Sequence, residues 1–317
     1  MYDVTALGEL LIDFTQNGMS KQGNQLFEAN PGGAPCNVLA MLTNLGNKTA
    51  FIGKVGNDAL GKELKRRVSG LGIDTRNLLL DDSVHTTLAF VHNFENGDRD
   101  FSFYRNPGAD MMLKAKEVDE SLISNSRIFH FGTLSMTHDQ VKEATLKALE
   151  IAKAGGCIIS FDPNLREPLW DNLDKAKQAV LEGMKYADVL KISDNEIVWL
   201  TGIEDYDLAV EWIKERFDID LILVTLGKEG SRAYFKDLIV TVPGFVNDAT
   251  IETTGAGDTF CGTVLDFVLK VGLDNFDAKS LHEMLLYANA AASIITTRKG
   301  ALMVMPTRSE IEALINS

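Results

Sequence analysis

Apolar residues recur along this chain with two periods, and the alternation between them predicts the fold. Short apolar runs at 127–132, 157–161, 189–192 and 221–225 read as buried strands, too short for helices and closed by Gly, Asp or Ser. Between them, 138–154, 174–186, 194–201 and 207–217 space their apolar positions three and four apart, as a helix with one buried face does. Upstream, 4–9 and 49–56 predict two more buried strands. A mainly apolar helix over 38–45, closed by Gly46, lies between them, and a second follows around 61–64. Downstream come a small hairpin (233–235 with 239–242) and helices over 256–271, 280–296 and 307–315. Strand and helix in alternation predict an α/β fold, a mostly parallel central sheet with helices on both faces.

Two stretches break the pattern. Residues 15–30 are polar, with no helical period. Residues 85–105 hold two strand-like runs around Glu95-Asn96-Gly97-Asp98, whose Asn-Gly signals a hairpin. Phe101, Phe103 and Arg105 share one face of the second run, which suits a flap beside the main sheet better than a central parallel strand. No repeat, low-complexity tract or linker interrupts the 317 residues, so one domain with an inserted flap is expected.

Composition narrows the classes. A net charge of −14 disfavours nucleic acid and anionic membranes as partners. Cys36, Cys157 and Cys261 are far apart and form no C-x-x-C, so a reducing, cytoplasmic setting is expected rather than a disulfide framework. The start reads straight into a strand, without a signal-peptide pattern, and no apolar run is long enough to span a bilayer. The five histidines show no metal-ligand spacing.

Candidate chemistry gathers at predicted strand ends, where open α/β sheets bind ligands. Thr253-Thr254-Gly255-Ala256-Gly257-Asp258 is a glycine-rich turn running into an apolar helix. Free N–H groups, the helix dipole and small residues make such a turn receptive to an anion, and Asp258 adds a base at its mouth. The combination suggests phosphoryl transfer to a hydroxyl, although the same residues suit an ordinary helix start with a first-turn acid. It is neither a P-loop, since no Lys follows the glycines, nor G-x-G-x-x-G. Gly32-Gly33 opens the first helix with Asn37 in its first turn, which suits a polyhydroxy ligand or a simple cap. Asp13 sits in an apolar setting and needs a partner or a purpose. Asp162-Pro163-Asn164-Leu165-Arg166 displays an Arg at a strand tip, suited to phosphate or to a local ion pair. Glu196 suits a hydrated Mg²⁺ or a helix cap, and Thr225-Leu226-Gly227-Lys228-Glu229-Gly230 is a tight turn that a nucleotide could lie against.

Taken together these motifs resemble the ribokinase-like (pfkB) carbohydrate kinases. One signature is matched by Gly32-Gly33-Ala34-Pro35-Cys36-Asn37 with Gly46 and Gly56, the other by Thr253 to Asp258. Phe103-Tyr104-Arg105-Asn106-Pro107, Asp162 to Arg166 with Trp170, and Lys191-Ile192-Ser193 are most similar to the fructokinase branch. The resemblance implies a ribokinase-like domain over 1–317 with a small β lid formed by about 14–30 and 85–106. It implies ATP-dependent phosphorylation of a sugar, D-fructose to D-fructose 6-phosphate first, with 2-keto-3-deoxygluconate or a riboside as sister substrates. A catalytically silent sugar-binding regulator on the same fold is the alternative from another class. By resemblance Asp258 is the base, the amides of Gly255, Ala256 and Gly257 the anion hole, and Arg166 a residue near the transferred phosphate. Asp13, Gly33, Asn37 and Arg105 are sugar-side residues. Lys191, Glu196, Thr225, Gly227, Gly230 and Asn289 are nucleotide-side, Glu196 organising Mg²⁺ through water. Glu252, Thr254, Arg298 and Gly300 mark a monovalent-cation loop. Glu252 stands where the family usually has Asp, which leaves a K⁺ requirement open. The aromatic flap is also a candidate homodimer surface.

Overall fold

The structure, a computed structural model, describes residues 1–93 and 99–317; the turn expected at 95–98 lies outside the described residues. In chain order the first half comprises β1 (Tyr2–Leu7), β2 (Leu11–Met19), β3 (Gln25–Gly32), α1 (Ala34–Asn44), β4 (Thr49–Gly56), α2 (Ala59–Gly70), β5 (Asp74–Asp81), β6 (Leu88–Asn93), β7 (Arg99–Tyr104), α3 (Glu120–Ser124) and β8 (Ser126–Gly132). The second half adds α4 (Asp139–Ala154), β9 (Ile158–Asp162), α5 (Leu173–Met184), β10 (Val189–Ser193), α6 (Asp194–Thr201), α7 (Tyr206–Lys214), β11 (Leu221–Thr225), β12 (Ser231–Phe235), β13 (Leu238–Val242), α8 (Ala256–Val271), α9 (Ala278–Ile295) and α10 (Arg308–Ile315).

Among the described residues, nine strands form one sheet in the order β13-β12-β11-β10-β9-β8-β1-β4-β5, parallel from β11 to β5 and antiparallel at β12 and β13. The parallel strands inside the sheet, β11 to β4, are buried on both faces, hence their unbroken apolar runs, unlike β5 at the edge. One core lies beneath α1, α8 and α9, and a second beneath α4, α5, α6 and α7. From β1 the chain winds first toward β5 and later, from β8, the opposite way. That reversal beside β1 opens the crevice that a doubly wound sheet offers to ligands. Helix α8 buries more than one face: every residue from Asp258 to Leu269 is buried, because α1 and α9 flank it. Burial of Phe260, Val264 and Leu265 at about 1.5–3 kcal/mol each fixes the helix, and with it the turn at its N-terminus.

The second sheet has the order β3-β2-β6-β7. Its strands come from 11–32 and 88–104, and the polar stretch 15–30 forms most of the antiparallel β2–β3 hairpin. Its period of two sorts the faces: Asp13, Thr15, Val91 and Phe103 line a cavity, whereas Phe14, Phe27, Phe90 and Tyr104 stack on the opposite face. Strand β5, half-exposed at the sheet edge, escaped the sequence reading because its pattern is neither apolar nor strictly alternating.

Candidate active site

The cavity lies between the carboxyl ends of the parallel strands and the inner face of the small sheet, with a volume of about 390 Å³. Its floor is the turn before α8. Gly255 there has φ 77°, the left-handed region that a side chain disfavours, and a Cβ on it would overlap Ala301. Gly257 leaves room of another kind: a Cβ would lie 3.1 Å from the Lys191 ammonium. The two glycines of the motif thus serve different neighbours, one the backbone path and one a buried cation.

Asp258, in the first turn of α8, is buried, and its Oδ2 accepts a hydrogen bond from Asn37 Nδ2 at 2.8 Å. Burial raises its pKa, against the lowering pull of Asn37, Lys191 and Arg166, which makes it a stronger base than an exposed aspartate. Among the described residues Asn37 Oδ1 is buried without a hydrogen-bond partner, in a residue that lines the cavity. Asn37 stands in the first turn of α1, and the start of that helix is fixed by Glu9, whose Oε1 accepts from the Ala34 N–H at 2.8 Å. Gly33, φ 140°, passes so close to the Glu9 carbonyl that a Cβ would collide with it.

Lys191 is buried on β10, its Nζ 3.1 Å from Asp162 Oδ2 and 3.2 Å from Oδ1. Asp162, Glu196 and Asp258 surround it and hold it protonated, overriding the burial that opposes its charge. Burial pushes Asp162 up to about 7 even with Lys191 beside it. Glu196 behaves oppositely. Burial is offset by Lys191 and by donors from Ser193 N and Oγ (2.8 Å each) and Leu165 N (2.7 Å), so it stays below the usual carboxylate range. That capping box holds Glu196 rigid and ionised near Lys191. Asn164, at positive φ (44°), and exposed Arg166 project from the next loop into the cavity mouth. Asp13, opposite, is pushed to about 7 by burial, with Glu252 and Asp258 adding to the rise and Arg166 countering it.

The structure therefore brings Asp13, Gly33, Asn37, Arg166, Lys191, Glu252, Thr254, Gly255, Gly257, Asp258 and Gly300 to one cavity, with Ala256 opening α8 beside them. Others lie elsewhere. Arg105, expected to reach the sugar, is a correction: its guanidinium is buried against Asp110 Oδ2 (Nε at 2.8 Å) and also donates to Thr137 Oγ1 and the Leu134 carbonyl. It faces a second cavity of about 630 Å³, on the far side of Phe103. The cause is Asp110, which could not stay buried unpaired. Arg298 turns its guanidinium to the Val304 carbonyl and to Glu310. Thr225, Gly227 and Gly230 are not in the cavity wall. Asn289 is close to that turn, but its side chain is used by Ser231 Oγ (2.9 Å) and the carbonyls of Val242 (3.0 Å) and Pro243 (3.2 Å). Glu9 and Asn30 were missed as cavity residues. Glu9's place after the central strand was a usable signal; Asn30 sits in the stretch without a period and gave none.

Comparison with known proteins agrees with this geometry. Residues 1–308 match the pfkB family of carbohydrate kinases. The chain is 40% identical over 314 residues to fructokinase-1 of Zea mays, covering 98% of this chain and 97% of that one. Its fold is similar to that of a fructokinase from Xylella fastidiosa solved with bound ATP (TM-score 0.91, 30% identity, 100% and 99% of the two chains). It is also similar to a double mutant of the Vibrio cholerae O395 fructokinase solved with fructose, ADP and potassium (TM-score 0.88, 28% identity, 99% and 98%). A family match over nearly the whole length, falling on a cavity built around Asp258 and its amide turn, gives one conclusion: the chain belongs to the pfkB family of carbohydrate kinases and phosphorylates a sugar at the expense of ATP.

Proposed function

We propose that the acceptor is D-fructose and the product D-fructose 6-phosphate. The observation that carries the reading is the Asn37–Asp258 pair at the mouth of the amide turn. A primary hydroxyl placed there gives its proton to Asp258 while its oxygen attacks the γ-phosphorus of ATP and the bond to ADP breaks. Amides of Gly255 and Gly257 face the charge that develops on the transferred group, whereas the Ala256 N–H, also expected there, donates to the Thr253 carbonyl at 3.2 Å and closes the turn; Lys191 supplies a fixed positive charge beneath them. Arg166, exposed at the mouth, is free to follow the phosphate. Asp13, Asn30 and Asn37 supply acceptors and donors for the other sugar hydroxyls. The ionised Glu196 fits a divalent cation, Mg²⁺, held through water, which would neutralise the ATP phosphates.

In this reading the small sheet is a lid. Its inner face covers the sugar and excludes water that would hydrolyse ATP. The aromatic outer face, with Tyr104 65% exposed, is where a second copy of the chain would sit. Nucleotide binding falls to the Thr225–Gly230 turn, and three buried, unpaired cysteines suit the cytoplasm. No helix among the described residues is long and apolar enough to cross a membrane.

The test is coupled ADP release over a panel of ketohexoses, aldoses, 2-keto-3-deoxygluconate and ribosides, with Asp258→Asn as the control. Fructose should give the highest kcat/KM. A preference for an acid sugar or a riboside overturns the substrate, and ADP release indifferent to every sugar overturns the kinase reading. Light scattering at micromolar concentration that shows a monomer would remove the lid–lid dimer.

A further inference from the structure

The amide turn is held in place by the loop that follows α9. The N–H groups of Ile251 and Glu252 both donate to the Thr296 carbonyl (2.9 and 3.2 Å). Gly255 packs against Ala301. The third tie is made by a side chain: Glu252 Oε1 accepts from the Gly300 N–H at 2.7 Å. Resemblance to the family places a monovalent cation between these two segments, and a relative was solved with potassium. The residues present here do not fit that ion. A cation needs acceptors around it, whereas the Gly300 N–H points its hydrogen at the Glu252 carboxylate, whose Oε1 is thereby engaged. Length explains the difference. An Asp at this position would be shorter by one carbon–carbon bond, about 1.5 Å, and would fall short of the amide.

We propose that Glu252 directly joins the amide turn to the 296–301 loop, as a built-in replacement for the monovalent cation, so that this enzyme works without K⁺. The inference rests on the kinase reading for the importance of the turn, but not for its test. Thermal stability and the Kd of ADP with Mg²⁺ are measured in KCl, NaCl, CsCl and choline chloride at one ionic strength, for the wild type, Glu252→Gln and Glu252→Asp. Gln keeps an oxygen acceptor for Gly300 without the charge; Asp keeps the charge without the reach. Wild type and Glu252→Gln should be indifferent to the cation, within roughly twofold in Kd. Glu252→Asp should bind ADP about tenfold more weakly in choline and regain affinity and melting temperature in K⁺, as mass action at a newly opened site requires. A wild-type Kd that improves tenfold or more in K⁺, with that response lost in Glu252→Gln, would show an ion at Glu252 and overturn the proposal. A Glu252→Asp protein that stays indifferent also overturns it, since the carboxylate's reach would then not be what replaces the ion. If Glu252→Asp fails to fold, the wild-type and Gln series still decides. Failure to turn over any sugar would sink the kinase reading and leave the salt result standing.

Discussion

At the acceptor end of the cavity, polar groups are buried yet left waiting. Among the described residues Asn37 Oδ1 has no partner, and Asp13 is pushed to about 7 because burial gives its charge little to meet. At the turn proposed for the phosphate donor, outside the cavity wall, the opposite holds. Asn289 makes its hydrogen bonds within the protein, and the Thr225–Gly230 turn closes on itself, Leu226 N–H to the Gly230 carbonyl at 2.8 Å. The contrast teaches where specificity resides. A site with unpaired buried acceptors rejects a ligand that lacks the matching hydroxyls, whereas a satisfied turn contributes mostly backbone and apolar contact. The sugar should be chosen stringently and the nucleotide loosely.

The strongest way to break that contrast is at its centre. Asp258→Asn keeps the shape and the Asn37 contact but removes the base, and should cost about 10²–10⁴ in kcat with little change in fructose or ATP affinity. Steady-state kinetics with calorimetric binding would check it. An Asn variant with near-normal turnover would mean that the preorganised acceptor end is a binding site and nothing more.

The next largest effect separates site from scaffold. Arg105→Ala leaves Asp110 buried without its cation and should destabilise the fold by about 3–5 kcal/mol, with fructose and ATP KM moving together. Denaturant unfolding measures the first and kinetics the second. A selective rise in fructose KM with unchanged stability would return Arg105 to the acceptor end.

These residues also show what the sequence made legible and what it did not. The inner parallel strands and their helices were readable because burial on both faces writes continuous apolar runs, whereas the edge strand β5 was not. Asp258 and the amide turn were readable because a backbone anion site demands glycines at fixed places, Gly255 for its left-handed φ and Gly257 for Lys191. The two strands that share 15–30, β2 and β3, were opaque to hydrophobic pattern: one face lines a polar cavity and the other is aromatic but half-exposed, so their alternation carries no simple polarity. Arg105 shows the harder limit. Asp110 follows it five positions later, and nothing in that spacing tells a sugar ligand from one half of a buried ion pair. Glu9 was overlooked for a similar reason, since its job is to cap α1, a helix twenty-five residues further along.

At the donor end, Asn289→Ala should lose about 1–3 kcal/mol of stability, because the carbonyls of Val242 and Pro243 and the Ser231 hydroxyl lose their partner in a buried place. ATP affinity should follow only as far as the Thr225–Gly230 turn loosens, within a few-fold. A large rise in ATP KM at unchanged melting temperature would show a direct contact with the base and would erase the difference between the two ends.

The smallest effect is a pH dependence that belongs to the acceptor end. Burial raises Glu9, Asp13 and Asp162 from near 4 to about 7. The folded protein therefore binds their protons more tightly than the unfolded chain does. The stability this confers is complete below about pH 4 and is lost as pH rises through about 7. Asp13 faces Arg166, Glu252 and Asp258; Glu9 faces Asp110 and Arg105. The depressed carboxyls Glu63 and Asp74, held at about 2 by their arginines, titrate below this window and leave it undisturbed. The free enzyme should melt about 2–6 °C lower at pH 8 than at pH 5. In the proposed complex fructose would donate hydroxyl hydrogens to the ionised Asp13, so its stabilising effect should grow over the same interval, with protons released on binding. Asp13→Asn removes one titrating group and should flatten both trends. Thermal scans with and without fructose at several pH values decide the matter: if stabilisation by the sugar does not vary with pH in the wild type, Asp13 does not meet the sugar as an ion, and the acceptor end is less poised than its burial implies.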